Sequence, residues 1–263
     1  MSRALEVRER TLGRDHPDTL MSVHNLANLY SVQGRFPEAE RLYQRALEGF
    51  ERTLGAEHPF TLMALNNLAL MYQLQGRFAD AEQRYRRALE TSDRVNGADH
   101  PRTLAIVNNL ATILISQSRY GDAEQYLSRS LAASERHSGM DAPETMTFAN
   151  NLAVSLQEQR RLPEAEALFR RVLAARERTQ GAQHADTVAA RANLATLQQR
   201  MREPGQAGAI AAAGANPSTG LSATAAGGAT CMIVTDIAIV DGRETRVPKQ
   251  LCRTPPSVRW QRV

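Results

Sequence analysis

The chain has 263 residues, 42% hydrophobic but only 5% aromatic, which favours helices packed through Leu, Ala, Val and Met over strands. The formal net charge is +4, yet the arginines alternate with glutamates along the predicted helices, which indicates solvated faces and not a nucleic-acid surface. No stretch approaches the roughly 20 apolar residues of a membrane-spanning helix, and the charged N-terminus lacks the pattern of a signal peptide.

Residues 2–202 repeat one phrase with a period of 42 residues. Four full copies align without insertions at residues 21–62, 63–104, 105–146 and 147–188, and half copies flank them at 2–20 and 189–202. A long exact period predicts a stack of one supersecondary unit, in which each unit buries its apolar face against its neighbours. The array is therefore expected to occupy residues 1–202.

Each full copy contains two helical patterns. In the second copy the first helix places four residues at the i, i+3, i+4, i+7 spacing of one face: Leu65, Leu68, Ala69 and Tyr72. This helix is expected to stop near Gly76. The second helix is expected to end by Gly97 in the left-handed conformation, and Thr103 or a neighbouring residue to cap the helix that follows.

One histidine per repeat lies in the loop before a first helix, and these residues are His16, His58, His100 and His184. Copies in a helical stack are roughly 10 Å or more apart, too far to share one metal ion, so a structural role in the turn is expected. The sequence contains no G-x-S-x-G, phosphate-binding loop, HExxH or CxxC motif. We therefore expect no enzyme, no cofactor and no metal site.

The repeated pattern resembles the tetratricopeptide repeat through Leu26-Ala27, Tyr30, Gly34, Ala39, Tyr43 and Ala46. The repeat length and the phrases NNLA, QGRF and LG..HP.TL are similar to the kinesin-light-chain variety. This resemblance implies an all-α, right-handed superhelical solenoid of antiparallel helix pairs that holds short extended peptides along its inner face. The copies depart from the pattern at Ser118, Leu127, Ala142, Arg160 and Ala185.

Two neighbouring asparagines lie in the first helix of the repeats, and helix geometry separates them. The second asparagine lies at the flank of the apolar face in all five copies, so we expect it to tie one helix to the next repeat: Asn25, Asn67, Asn109, Asn151 and Asn193. The first asparagine lies on the opposite face, which is expected to line the concave groove of the stack.

Amide side chains in such a groove can both donate to and accept from the main chain of an extended peptide. The predicted peptide-binding residues are His24, Asn28, Asn66, Leu70, Gln73, Asn108, Thr112, Asn150, Val154 and Gln157. Because His24 is their only basic member, we expect a peptide of mixed apolar and polar character and no tight selection for an acidic terminus.

The C-terminal part has a different composition. Residues 203–230 are rich in Ala, Gly, Ser and Thr, which predicts a flexible linker. In residues 231–263, Asp241-Gly242 lies between two β-type runs and predicts a small hairpin module. Counting outward from a two-residue turn pairs Cys231 with Cys252 at a position where a cross-strand disulfide is feasible.

This module resembles the small C-terminal module of bacterial envelope surface-antigen proteins through its two cysteines, the VDGRE phrase and Trp260. A disulfide implies an oxidising, periplasmic or exported location, and the alternative is a pair of free thiols in a cytoplasmic tail.

Together these patterns predict a non-enzymatic protein–protein interaction scaffold with a protein or peptide partner and no nucleic acid. Because the chain begins in the second helix of a repeat, one alternative is a sensor or regulatory arm from a larger bacterial signalling protein. Another is an envelope structural protein that associates with itself.

Overall fold

The computed structural model describes residues 3–202, 230–240, 243–253 and 261–262, and side chains within residues 5–202. Residues 3–202 form ten α-helices joined by short turns. They are α1 (Arg3–Leu12), α2 (Pro17–Val32), α3 (Phe36–Leu54), α4 (Pro59–Leu74), α5 (Phe78–Asn96), α6 (Pro101–Ser116), α7 (Tyr120–Ser138), α8 (Pro143–Glu158), α9 (Leu162–Gln180) and α10 (Ala185–Arg202).

Two kinds of helix alternate along this region. The even-numbered helices, called A helices below, are the first helices of the predicted repeats, and the odd-numbered helices, called B helices, are the second. Consecutive A and B helices pack against each other, as in α2 with α3, α4 with α5 and α8 with α9. The predicted all-α fold is confirmed for residues 3–202.

The structure divides into two compact units. The first contains residues 1–109 together with 237–246, and the second contains residues 110–236 together with 247–263. The boundary falls inside α6, after Asn109. Each unit has a core of small and medium-sized side chains, and its largest fully buried ones include Phe50 and Tyr85 in the first unit and Phe148 and Phe169 in the second.

The loop histidines begin the A helices. The ring Nδ1 of His58 accepts a hydrogen bond of 3.2 Å from the backbone N–H of Phe60, and His16, His100 and His184 accept the same bond two residues on. Each ring thus satisfies one of the free N–H groups at a helix start. For α6, where Thr103 or a neighbouring residue was expected to form the cap, the nearby His100 does so, and Thr103 is buried and hydrogen-bonded to Ser92 at 2.8 Å.

Glycine ends the B helices, but not in the expected conformation. Gly97 has φ 91° and ψ 158°, and Gly55 has φ 92° and ψ 162°. These angles lie outside the left-handed helical region that was predicted for Gly97, in a region that essentially only glycine enters. The chain therefore turns towards the next A helix at positions where a side chain would be strained.

The turn from A helix to B helix does use the left-handed conformation. Gly34 and Gly76 both have φ 74°, and the residues that replace glycine there, Ser118 and Arg160, have φ 63° and 66°. The turn itself is unchanged, since the N–H of Arg161 bonds the carbonyl of Leu156 at 3.0 Å as that of Arg77 bonds Tyr72 at 2.9 Å. Ser118 and Arg160 therefore keep the fold at a local conformational cost.

Arginine–carboxylate pairs join successive B helices. Arg45 contacts Glu9 at 2.7 Å and Arg87 contacts Glu51 at 2.5 Å in the first unit, and Arg171 pairs with Glu135 in the second. The alternating charges of the sequence therefore link neighbouring repeats along the B helices. Surface pairs of this kind contribute only about 0–1 kcal/mol each, so packing and buried polar contacts hold the stack.

The C-terminal region contributes strands β1 (Thr230–Val240), β2 (Arg243–Arg253) and β3 (Gln261–Arg262) in the order β1-β2-β3. β3 pairs antiparallel with β2, with Leu251 opposite Arg262. The predicted linker lies outside the described residues except for Thr230. The predicted Asp241-Gly242 turn and the side chains of Cys231 and Cys252 also lie outside them, so the hairpin module and the disulfide stay predictions.

The turn after α8 gives a stability prediction. Arg160→Gly should stabilise the chain by about 1 kcal/mol, because it removes a side chain from a left-handed backbone position. Chemical denaturation of the purified chain measures the change. The matched control is Gly76→Arg at the equivalent turn, which should destabilise by a similar amount. Equal stability of all three proteins would contradict a backbone cost at this position.

Candidate functional site

The paired asparagines of the first unit form one buried hydrogen-bonded row, called the amide ladder below. Within α4, Asn66 Nδ2 donates to Asn67 Oδ1 at 3.2 Å. Between helices, Asn109 Nδ2 of α6 donates to Asn66 Oδ1 at 3.1 Å. The second asparagine of one repeat thus bonds the first asparagine of the repeat before it. Asn109 thus contacts the preceding A helix through Asn66, and Asn67 contacts α2 through His24 and Asn28.

The second unit contains the same arrangement. Asn193 Nδ2 of α10 donates to Asn150 Oδ1 of α8 at 3.0 Å, and Asn150 Nδ2 donates to Asn151 Oδ1 at 3.2 Å. Asn150 and Asn193 lie 43 residues apart, like Asn66 and Asn109. The recurrence shows that the two amides of a repeat act together and do not divide into one structural and one exposed residue.

His24 occupies the place of the first asparagine in α2. Its Nε2 lies 3.1 Å from Asn67 Nδ2, which also donates to Asn28 Oδ1 at 3.3 Å. Because an amide NH2 can only donate, His24 Nε2 is the acceptor and the neutral ring carries its proton on Nδ1. Nδ1 is buried with no hydrogen-bond partner, and the ring packs edge-on against Tyr43 with centroids 5.3 Å apart.

Burial lowers the pKa of His24 to about 4. The cause is desolvation, which disfavours the charged imidazolium. A second proton, on Nε2, would also point at the donating amide of Asn67. Beside the His24 ring, Tyr43 OH donates to Asn28 Oδ1 at 2.5 Å, and burial raises the pKa of the Tyr43 phenol.

The predicted groove residues lie on the A helices but are largely covered. Asn66 is 1% exposed, Leu70 8% and Val154 1%, and Asn28 is only half-buried. The remaining members of the predicted set are buried as well: His24, Gln73, Asn108, Thr112, Asn150 and Gln157. The structure therefore brings polar and apolar side chains together in rows on the A helices, and their predicted contact with a peptide stays a prediction.

Asn25 differs from the other second asparagines. It is half-buried, and its buried Oδ1 has no hydrogen-bond partner. It lies in α2, which follows the B helix α1 and has no earlier A helix within residues 3–202 to bond to. The inter-repeat role predicted for Asn25 therefore has no counterpart contact among the described residues.

A second cluster, which the sequence interpretation missed, joins consecutive A-to-B turns. Glu40 accepts hydrogen bonds from Tyr72 OH at 2.8 Å and Arg77 at 2.9 Å. The Arg77 guanidinium stacks over the Tyr72 ring at 4.2 Å, as Arg35 stacks over Tyr30 at 4.1 Å. In the second unit Glu124 accepts from Gln159 at 2.8 Å and from Arg161 at 2.5 Å. A signal was available in the sequence, because Arg77 and Arg161 each lie 37 residues after their glutamate.

Within the described residues, no group of three or more His, Cys, Asp or Glu side chains could hold a metal ion. Over the same part of the chain, none of the helices combines the length and the apolar character needed to cross a bilayer.

The amide ladder and the alternating A and B helices agree with the comparison to known families. The family model described as Tetratricopeptide repeat matches residues 1–52, 20–93, 60–136 and 144–210. The chain belongs to the tetratricopeptide repeat family. These repeats generally mediate protein–protein interaction, and the fold is typically a non-enzymatic scaffold.

Solved structures refine this class. The crystal structure of BtubC (BKLC) from P. vanneervenii is similar with a TM-score of 0.67 and 26% identity, over 80% of this chain and 85% of that one. A putative kinesin light chain of Podosopora anserina with nearly identical TPR-like repeats is similar with a TM-score of 0.63 and 25% identity, over 75% of this chain and 93% of that one. The fold is therefore of the kinesin-light-chain-like kind.

A curated relative covers much less. Nephrocystin-3 of Xenopus laevis is 42% identical over 45 residues, which is 17% of this chain and 4% of that protein. The chain thus spans only a small fraction of the length of this relative.

The buried histidine gives a pH prediction. Since the folded-state pKa of His24 lies below the ordinary value of 6.5, the unfolded chain binds the proton first. The contribution of neutral His24 is complete above pH 6.5 and is lost as the pH falls towards about 4, a loss of about 3 kcal/mol in the free energy of unfolding. Denaturant unfolding across this pH window measures it.

His24→Asn is the matched control, because Asn is the residue at the equivalent position of α4, α6 and α8. The variant keeps an amide for the ladder and removes the titrating ring, so its stability should fall less than that of the unchanged chain between pH 6.5 and 4. Identical pH profiles for the two proteins would show that His24 does not titrate in this way.

Proposed function

We propose that the chain is a non-enzymatic protein–protein interaction scaffold that binds extended peptide segments along the groove face of its A helices. The groove face is defined as the predicted set, His24, Asn28, Asn66, Leu70, Gln73, Asn108, Thr112, Asn150, Val154 and Gln157. The observation that carries the proposal is the recurrence of an amide at Asn66, Asn108 and Asn150, with Leu70 and Gln73 of α4 matched by Val154 and Gln157 of α8.

The chemistry of these side chains suits a main chain more than a particular side chain. Gln73 and Gln157 lie at equivalent positions of α4 and α8, and each amide offers both a donor and an acceptor. Leu70 and Val154, one helical turn earlier, offer apolar contacts. An extended peptide with alternating apolar side chains would use both kinds of contact. Because His24 is the only basic residue of the face and is neutral, an acidic terminus is not favoured.

The amide ladder decides which residues can test the proposal. Asn66 and Asn150 already accept inter-helix hydrogen bonds, so replacing them would weaken the stack and any peptide contact together. Leu70 and Val154 lie on the groove face and are not members of the ladder. Substitutions at these two positions therefore separate binding from the hydrogen bonds that join the A helices.

The test is a selection of displayed random 12-residue peptides with the full chain, followed by fluorescence anisotropy of the selected peptides. Leu70→Arg and Val154→Arg should each weaken binding by about tenfold or more, because a charged side chain replaces an apolar contact of about 1.5–3 kcal/mol. Both side chains are buried in the intact chain, so each variant is first checked by circular dichroism, and affinities are compared at a temperature where its helical spectrum is kept.

Val95→Arg is the matched control, since Val95 is an exposed apolar residue of the B helix α5. It should change the affinity by less than about twofold, as expected of a surface substitution away from the site. Selected peptides that bind Leu70→Arg and Val154→Arg as tightly as the unchanged chain would place binding on another surface and contradict the proposal.

A further inference from the structure

The three central A helices are buried on all sides. Every residue from 61 to 73 in α4, from 103 to 116 in α6 and from 145 to 157 in α8 is buried. An α-helix turns through all directions in 3.6 residues, so a run of this length includes every face of the helix. The burial therefore includes the groove face as well as the faces that pack on other helices.

The helices themselves account for only part of this cover. In the first unit α4 packs against α2, α3 and α5 and is hydrogen-bonded to α6 through the amide ladder. In a stack of helix pairs, such neighbours cover the flanks and the back of an A helix and leave its inner face open. The buried state of Leu70 and Gln73 thus requires cover that a tetratricopeptide stack alone does not provide.

The exposed fractions are those of this chain by itself, so the cover comes from its own residues. After Arg202, the residues whose backbone the structure describes belong to β1, β2 and β3. Residues 237–246 fall in the same compact unit as residues 1–109, and residues 230–236 and 247–253 fall in the same compact unit as the helices after Asn109. Each unit therefore combines A helices with part of β1 and β2.

We propose that the β1 and β2 segments of this chain occupy the groove face of its own A helices, as an intramolecular ligand. The inference rests on the proposed function and names the occupant and the regulation of that same face. A free peptide binds only when it displaces the segment, so the C-terminal region controls access to the groove.

The sequence of the segment has the chemistry that the groove face favours. β1, TCMIVTDIAIV, is an extended apolar stretch with Asp236 as its one ionisable carboxylate. A strand presents free main-chain N–H and C=O groups along an edge, and the amides of Gln73 and Gln157 could pair with such groups. The segment is thus a mixed apolar and polar peptide of the kind proposed for the groove.

Tethering makes the internal ligand hard to displace. Residues 203–229 lie between α10 and β1, and a connection of this length gives a millimolar effective concentration of the segment at the groove. If the segment itself binds the groove with a dissociation constant of about 10 μM or tighter, a competing free peptide would bind the intact chain about a hundredfold more weakly, or weaker still. Release of the segment is therefore the event that would open the scaffold.

The experiment uses the full chain with a specific protease site inserted between Gly214 and Ala215. After cleavage, the C-terminal fragment should coelute with the helical part in size-exclusion chromatography under native conditions. The same cleavage in Leu70→Arg and Val154→Arg chains should release the fragment, and cleavage in the Val95→Arg control should not. Release from the otherwise unchanged chain would overturn the inference.

A second measurement distinguishes failure of this inference from failure of the proposed function. The random-peptide selection is repeated on the cleaved chain after removal of its C-terminal fragment, and the selected peptides are titrated against intact and stripped chains. Binding about a hundredfold tighter to the stripped chain supports the inference. Equal binding to both overturns the inference and keeps the scaffold function. Binding to neither overturns both.

Discussion

The hydrogen bond between an asparagine of one A helix and an asparagine of the next fixes how neighbouring repeats meet. Asn109 on Asn66 and Asn193 on Asn150 are buried hydrogen bonds between amides, and loss of the donor takes a partner from a buried acceptor. An unsatisfied buried amide costs about 1–3 kcal/mol, and a hydrogen bond is directional whereas the hydrophobic effect is not. Apolar side chains therefore supply most of the stabilisation, and the amides specify the axial position of one A helix on the next.

This constraint also defines the groove face. When equivalent residues of neighbouring A helices have the same axial position, the apolar and amide side chains beside the ladder form rows that an extended chain can follow. The ladder thus connects the packing of the stack to its proposed ability to bind peptides. The same geometry explains why the C-terminal strands of the chain are suitable occupants, since a strand and the rows are both extended and both mix apolar with polar groups.

Much of the fold was predictable because it is encoded locally and then repeated. The spacing of Leu65, Leu68 and Tyr72 defines one face of a helix, and Gly76 marks where that helix stops. The histidine caps were missed because imidazole is not among the usual N-cap side chains, although His58 recurs at the position before Pro59 in the expected place. The conformation predicted for Gly97 was wrong. A sequence shows that a position requires glycine, but it does not show which of the glycine-only regions the backbone enters.

The asparagine roles were harder to predict, because the angle of a side chain on one straight helix does not show where the next helix lies. Asn66 points away from the main apolar face and still meets Asn109 once α6 is docked. A signal was present: the last copy has Ala192 where the inner copies have the first asparagine, and no later A helix follows within residues 3–202 to donate to it. The first asparagine is thus retained where a following repeat uses it as an acceptor.

The most direct test of this account is a double-mutant cycle on Asn66 and Asn109, with each residue replaced by Ala alone and together and unfolding followed in denaturant. The account predicts a coupling energy of about 0.5–3 kcal/mol between the two positions. Asn25→Ala, whose Oδ1 has no partner, should cost less than Asn109→Ala. Additive effects of Asn66→Ala and Asn109→Ala within about 0.3 kcal/mol would contradict the claim that the amide ladder sets the register of the repeats.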